Sequence, residues 1–328
     1  MTALNEHDLA EAGRRLGHDI HTRTRWERQG GWPDAVCEGL DAAAHARLPR
    51  ATPDRFVRKW LQLRLGAWRR GRIVDDEVTP DLLRALDVTH CPVTRAALTH
   101  GEHRDSDWSI DRLNNDAAYA ASNLAVMSVR ANRAKGARGF DEVLLLAGLP
   151  HATAGLAPRE WLRLAALMLG PAFATRHLAA PALPLCAPLP CRSTRLALQQ
   201  IQRLLTLQAR RPDGKNRLVR DFRPACRTER AVLRLRTLAD AVHEGLKRLP
   251  AEAECWDVWL QPGLMPALQA WREALDAPGW ACAAQIAGQL AGARRETAQR
   301  LQAWRLPSRG YHAAPAPVQR QRVVTQAP

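Results

Sequence analysis

Residues 108–136 read WSIDRLNNDAAYAASNLAVMSVRANRAKG. Elsewhere the chain is rich in Ala, Leu and Arg and repeats its apolar residues at helical spacing; here the period changes. "WSIDRL" (108–113) alternates apolar and polar residues, the pattern of a half-buried strand. "LAVMSV" (124–129) is a short apolar run of strand length. Asn114, Asn115 and Asp116, which favour loops, lie between them. "VRANRAKGARG" follows as a short helix closed near Gly136. The spacing predicts a strand, a polar loop, a strand and a helix: a ββα unit.

The polar residues of this unit are chemically specific. Asp111 and Arg112 end the first strand, and Asn123 opens the second. Asn132 falls nine positions after Asn123, and Lys135 three further on, nearly one helical turn. A strand end and a facing helix bring a carboxylate and an amide oxygen together. Two such oxygens, with other positions open to water and phosphate, suit Mg²⁺, and a metal held that way polarises a phosphodiester. Read structurally, the same residues make an Asn/Asp-rich turn and a surface Asp–Arg pair. Trp108 and Tyr119 read as packing residues.

The stretch resembles the HNH endonuclease module, or ββα-metal finger, and most closely a phage and bacterial variant reading S-[IL]-D-R-I-[DN]-N…GY…N-[LV]…N-x-x-K. "CPVT" (91–94) resembles the segment upstream of it. The resemblance covers about residues 88–138. It implies a divalent ion, Mg²⁺ or Mn²⁺, held by Asp111 and Asn132. It implies that Asn123 braces the loop and orients the catalytic group, and that Arg133 and Lys135 meet phosphate. Ser128 and Ala131 stand where many members carry zinc-binding cysteines, so no structural zinc is expected. Arg112 stands where the general-base histidine is usual, and a guanidinium does not accept a proton from water. Three alternatives stay open. Arg112 stabilises charge while a metal-bound hydroxide attacks; or His90, His100 or His103 swings in from the polar stretch "THGEHRDSDW"; or the site binds nucleic acid without cutting it.

Outside this unit the expected fold class is mainly α: a multi-helical chain with an embedded ββα finger and a basic helical C-terminal domain. Residues 1–87 read as helices, interrupted at "QGGWPD" (29–34). "TPDRF" (52–56) predicts a helix capped by Thr52 with Pro53 in its first position, and "TPDLL" (79–83) a second of the same type. The finger occupies 88–138 and a helical extension 139–177. The proline-rich 178–191 reads as a stiff linker. A basic helical domain spans 192–305, with helices near 192–211, 226–248, 264–275 and 280–303, and 306–328 reads as a disordered tail.

The formal charge is +15. Residues 1–150 contribute 22 Lys+Arg against 21 Asp+Glu; residues 151–328 contribute 26 against 12. Between Arg192 and Arg236 lie 13 basic and 3 acidic residues. A field of that sign favours polyanions, nucleic acid first. Read blandly, it is a solvated arginine-rich surface. Arg210, Arg211, Lys215, Arg217 and Arg220 gather around a turn expected at Pro212-Asp213-Gly214, as candidate phosphate contacts. The seven cysteines are scattered without a C-x-x-C pair and read as reduced thiols. The opening "MTALNEHDLAEAGRRL" has no apolar signal core, and no apolar run nears the roughly 18 residues that cross a bilayer. A cytoplasmic protein without a membrane partner is expected.

The sequence thus predicts a metal-dependent HNH-type endonuclease acting on DNA. The alternative is a catalytically degenerate nucleic-acid-binding protein that keeps the finger. A third reading is a helical interaction or phage structural protein with a remnant finger.

Overall fold

A computed structural model describes residues 6–174, 178–191, 193–292 and 304. Among these the chain is mainly helical, with one two-stranded sheet. Helix α1 (Glu6–Arg23) packs against α2 (Asp34–His45). The contact is close because two glycines face backbone: a Cβ on Gly17 would sit 1.9 Å from the Val36 carbonyl oxygen, and one on Gly39 1.9 Å from that of Arg14. Helix α3 (Arg55–Arg69) starts later than expected. Its cap is Asp54, which accepts from the Val57 amide at 2.8 Å, while Thr52 and Pro53 stay outside the helix. Aspartate outcompetes the earlier pair because its carboxylate complements the helix N-terminus. Helix α4 (Pro80–Ala85) follows expectation, with Thr79 accepting from the Leu82 amide and Pro80 in the first turn.

Strands β1 (Trp108–Arg112) and β2 (Leu124–Ser128) pair antiparallel, with Ile110 opposite Val126. Helix α5 (Val129–Lys135) leaves β2 directly, capped by Ser128, whose hydroxyl accepts from the Ala131 amide at 3.2 Å. The hairpin lies between two cores. Trp108, Ile110, Leu124 and Val126 face Phe56, Trp60 and Leu61 of α3. Ala125 and Met127 face the other way, with Cys91, Val93, Ala131 and Trp161. Strand β2 is therefore covered on both faces, which explains why it reads as a continuous apolar run rather than an alternation.

The second core continues through α6 (Phe140–Ala147), α7 (Pro158–Phe173), α8 (Ala197–Gln208), α9 (Pro212–Phe222), α10 (Glu229–Lys247), α11 (Leu264–Ala274) and α12 (Ala277–Ala291). The proline-rich segment is packed into it and is not an exposed linker: Leu185, Cys186, Ala187, Leu189 and Cys191 are buried. Its carbonyls receive side-chain amides of α8. Gln199 donates to Pro181 O at 2.6 Å and Gln202 to Leu183 O at 2.9 Å, while Gln202 Oε1 accepts from the Leu185 amide at 2.8 Å. Proline leaves such a strap with few N–H donors of its own, so what burial demands is mainly donors to its carbonyls, and glutamine supplies them.

Two ion pairs on one carboxylate tie the segment before β1, and α7, to the region between α10 and α11. Asp257 receives Arg95 at 2.8 and 3.2 Å and Arg163, from α7, at 3.1 Å twice. Pro212, Asp213 and Gly214 are the first turn of α9 and not a free turn, since proline is pre-set for the first helical position. The helix expected at 280–303 begins at Ala277 and is described to Ala291. Residues 293–303 and the tail at 306–328 lie outside the described residues. Among the described residues no helix is long and apolar enough to cross a membrane.

Candidate functional site

Alternation along β1 points Ser109 and Asp111 toward α5, where Asn132 and Lys135 lie one turn apart. The side chains meet in pairs. Asn132 Nδ2 donates to Ser109 Oγ at 2.6 Å, and Lys135 Nζ lies 2.9 Å from Asp111 Oδ2. Asp111 and Asn132 therefore project into one strand–helix seam. Lys135 Nζ also donates to Arg112 O at 2.7 Å and to Asn115 Oδ1 at 3.0 Å. The lysine side chain is 0% exposed and that of Asp111 16%. Asp111 Oδ2 has this ion pair but no hydrogen bond. Burial pushes the Asp111 carboxyl above its ordinary range, outweighing the opposing pull of Lys135.

Lys135 was expected at phosphate. Its ammonium is instead internal, donating to two oxygens of the ββα unit, Arg112 O and Asn115 Oδ1, and paired with the Asp111 carboxylate. Arg133 stays on the surface, 70% exposed and paired with Asp105 at 2.9 Å. Asn123 is fully buried and braces the loop between the strands. Its amide nitrogen donates to Asn114 O and Ala118 O at 3.1 and 2.9 Å, and its oxygen accepts from the Asn114 amide at 2.8 Å.

Arg112 staples the same loop. Nη1 donates to Asn115 O and Ala117 O at 2.9 and 2.8 Å, and the guanidinium lies over the Tyr119 ring at 4.9 Å. The Tyr119 hydroxyl accepts from Arg70 at 2.9 Å. Trp304, 1% exposed, closes the loop from outside: its indole donates to Ala121 O at 3.2 Å, and its carbonyl accepts from the Ala118 amide at 2.9 Å. Nothing in the sequence around Trp304 signals this docking, which joins positions far apart in the chain.

The candidate histidines lie elsewhere. His100 Nε2 accepts from Arg55 at 2.9 Å and packs edge-on against Trp108 at 5.3 Å, on the face of β1 away from Asp111. The polar stretch carrying His103 is tied down by Asp107, which accepts from Thr99 Oγ1 at 2.6 Å and from the amides of Glu102 and His103 at 3.2 and 2.8 Å. The Thr99 hydroxyl, with these amides, holds the Asp107 carboxyl below its usual range. His90 meets the Thr89 hydroxyl at 3.0 Å.

Among the described residues no three His, Cys, Asp or Glu side chains gather as a metal centre. A divalent ion does not fit between Asp111 and Asn132 in this arrangement: the ammonium of Lys135 already holds the carboxylate, and the Asn132 amide nitrogen is turned to Ser109. Around Ser128 and Ala131 the unit is closed by hydrogen bonds, the Ser128 hydroxyl accepting from the Ala131 amide at 3.2 Å. Cys91 Sγ accepts from the Ser128 and Thr94 amides at 3.3 and 3.4 Å.

The exposed arginines lie at the α8–α9 turn and along α9 and α10. Arg210, Arg211 and Arg217 line a groove of about 520 Å³ with Gln208, Asp213 and Leu290. Arg220 is exposed beside it, and Lys215 pairs with Asp240 at 2.5 Å. Arg230, Arg234 and Arg236 are exposed along α10. Among the described residues no ion pair engages Arg210, Arg211, Arg217, Arg230, Arg234 or Arg236. Compared with known proteins, the chain matches no protein-family profile, no curated protein and no solved structure.

Proposed function

We propose that the protein binds nucleic acid, seating a phosphate backbone on the arginines of the α8–α9 turn, α9 and α10, and that its HNH-like ββα unit is a docking element that does not cut. The observation that carries this reading is the set of exposed arginines without ion-pair partners among the described residues, in a segment of 13 basic and 3 acidic positions. Exposed guanidiniums that neutralise phosphates release counterions, and this contribution is indifferent to base sequence. Double-stranded DNA is the proposed partner.

A second reading, hydrolysis of DNA with Mg²⁺ or Mn²⁺, is favoured by one observation: Asp111 and Asn132 share the seam. It requires Lys135 to leave the carboxylate.

Fluorescence anisotropy with a labelled duplex over a range of salt tests the first reading. Affinity is expected to fall steeply with salt, and Arg210→Ala, Arg211→Ala and Arg217→Ala each to flatten the slope of log K against log salt by about one. Absent or salt-independent binding overturns it. Plasmid nicking that requires metal and disappears in both Asp111→Ala and Asn132→Ala replaces it with the second.

A further inference from the structure

We infer that Lys135 is the resident cation of the finger: its ammonium fills an oxygen cage that becomes a divalent-cation site only when the lysine is removed. This deepens the non-cutting reading and rests on it, but the test below uses no nucleic acid, so the two fail separately.

The cage holds the ammonium by two hydrogen bonds and one ion pair, and its oxygens are fixed. An ammonium has three donors and no acceptor. Here it meets three oxygens from three consecutive parts of the unit: the Asp111 carboxylate at 2.9 Å, the Arg112 carbonyl at 2.7 Å and the Asn115 amide oxygen at 3.0 Å. Asn115 is itself held, its Nδ2 donating to Gly136 O at 3.2 Å and Arg138 O at 3.5 Å, just past the end of α5. The Arg112 carbonyl is fixed because its own guanidinium is anchored on Asn115 O and Ala117 O. No water reaches the lysine, whose side chain is 0% exposed. A buried charge with full hydrogen bonding and a counter-charge is tolerated, and one that loses them is not.

Carboxylate, carbonyl and amide oxygens on a rigid frame are also the hard ligands that Mg²⁺ and Mn²⁺ prefer, with remaining positions left to water. One positive charge excludes another at that spacing. Lys135 thus supplies from within the sequence the charge that a bound metal would otherwise supply, and α5 is pinned to β1 without an ion.

Mn²⁺ is the probe, with the full chain. Two readouts are the electron paramagnetic resonance signal of free Mn²⁺ and the thermal midpoint with and without Mn²⁺. For the wild type, no Asp111-dependent loss of free signal and no shift of midpoint are expected up to about 1 mM, the weak end for oxygen sites. Lys135→Ala is expected to melt lower, to recover part of the loss in Mn²⁺, and to remove Mn²⁺ from the free signal; Asp111→Asn with Lys135→Ala is expected to do neither. Asp111→Asn with Lys135→Met is expected to melt above either single variant, since charge and counter-charge leave together. Mn²⁺ binding by the wild type that disappears in Asp111→Asn overturns the inference. So does a folded Lys135→Ala that gains no Mn²⁺ binding. Where Lys135→Ala does not fold, a Lys135→Met and Asp111→Asn pair whose losses simply add also overturns it.

Discussion

Replacing Asp257 by alanine strands two guanidiniums that now share one carboxylate. Arg95 and Arg163 are 16% and 11% exposed and Asp257 13%, so water replaces little of what is lost. Removing one partner of a buried ion pair costs about 3–5 kcal/mol. The low end applies here, because each arginine keeps carbonyl partners: Pro92 O and Cys186 O at 2.9 Å for Arg95, and Val93 O at 3.3 Å for Arg163. About 3 kcal/mol is therefore expected, a fall in thermal midpoint on the order of 4 °C if the whole chain melts together. Thermal and urea unfolding followed by circular dichroism measures it. Because Arg95 sits in the loop before β1 while Asp257 lies between α10 and α11, the loss should appear in one transition that includes the finger. A second substitution, Arg163→Met in the Asp257→Ala background, should recover part of the loss by removing one stranded charge. A change below about 1 kcal/mol, or no recovery in the double variant, would refute the reasoning that this carboxylate offsets two buried cations.

Trp304→Ala removes a buried indole and the clamp on the loop braced by Asn123. A cost of about 3 kcal/mol and faster amide exchange at Ala118 are expected, and unchanged protection there would contradict the clamp. Asp107 has a depressed carboxyl, so the stability it contributes is present above the ordinary carboxylate range and is lost as pH falls through the lower folded value. Acid unfolding of Asp107→Asn should accordingly be less pH-dependent than that of the wild type. An identical acid limb in the two proteins would show that the Thr99 and amide hydrogen bonds do not favour the ionised form.

The elements with a strong local signal are the ones legible from sequence. The alternation in "WSIDRL", the apolar "LAVMSV" and the helix closed near Gly136 match β1, β2 and α5, and Thr79-Pro80 caps α4 as read. Where two signals compete, the stronger chemistry wins, as with Asp54 over Thr52. Long-range partners were not legible. Four prolines at 181, 184, 188 and 190 look like a linker until the glutamines of α8 are seen donating to their segment. At the candidate site, Asp111, Asn132 and Lys135 lie along the seam between β1 and α5. Their spacing does not reveal which groups pair across that seam. The two-residue step along β1 and the one-turn step along α5 match Asn132 with Ser109 and leave Lys135 to Asp111. Arg112, read as an electrophile or a missing base, is held by two carbonyls of its own loop, a contact that depends on the loop path rather than on spacing.

The most direct test is a crystal of the full chain soaked in Mn²⁺ and measured at the manganese absorption edge. No anomalous peak is expected in the seam between Asp111 and Asn132, with the Lys135 ammonium within hydrogen-bond distance of Arg112 O and Asn115 Oδ1. A manganese peak on the Asp111 carboxylate, with Lys135 swung out toward solvent, would contradict that expectation.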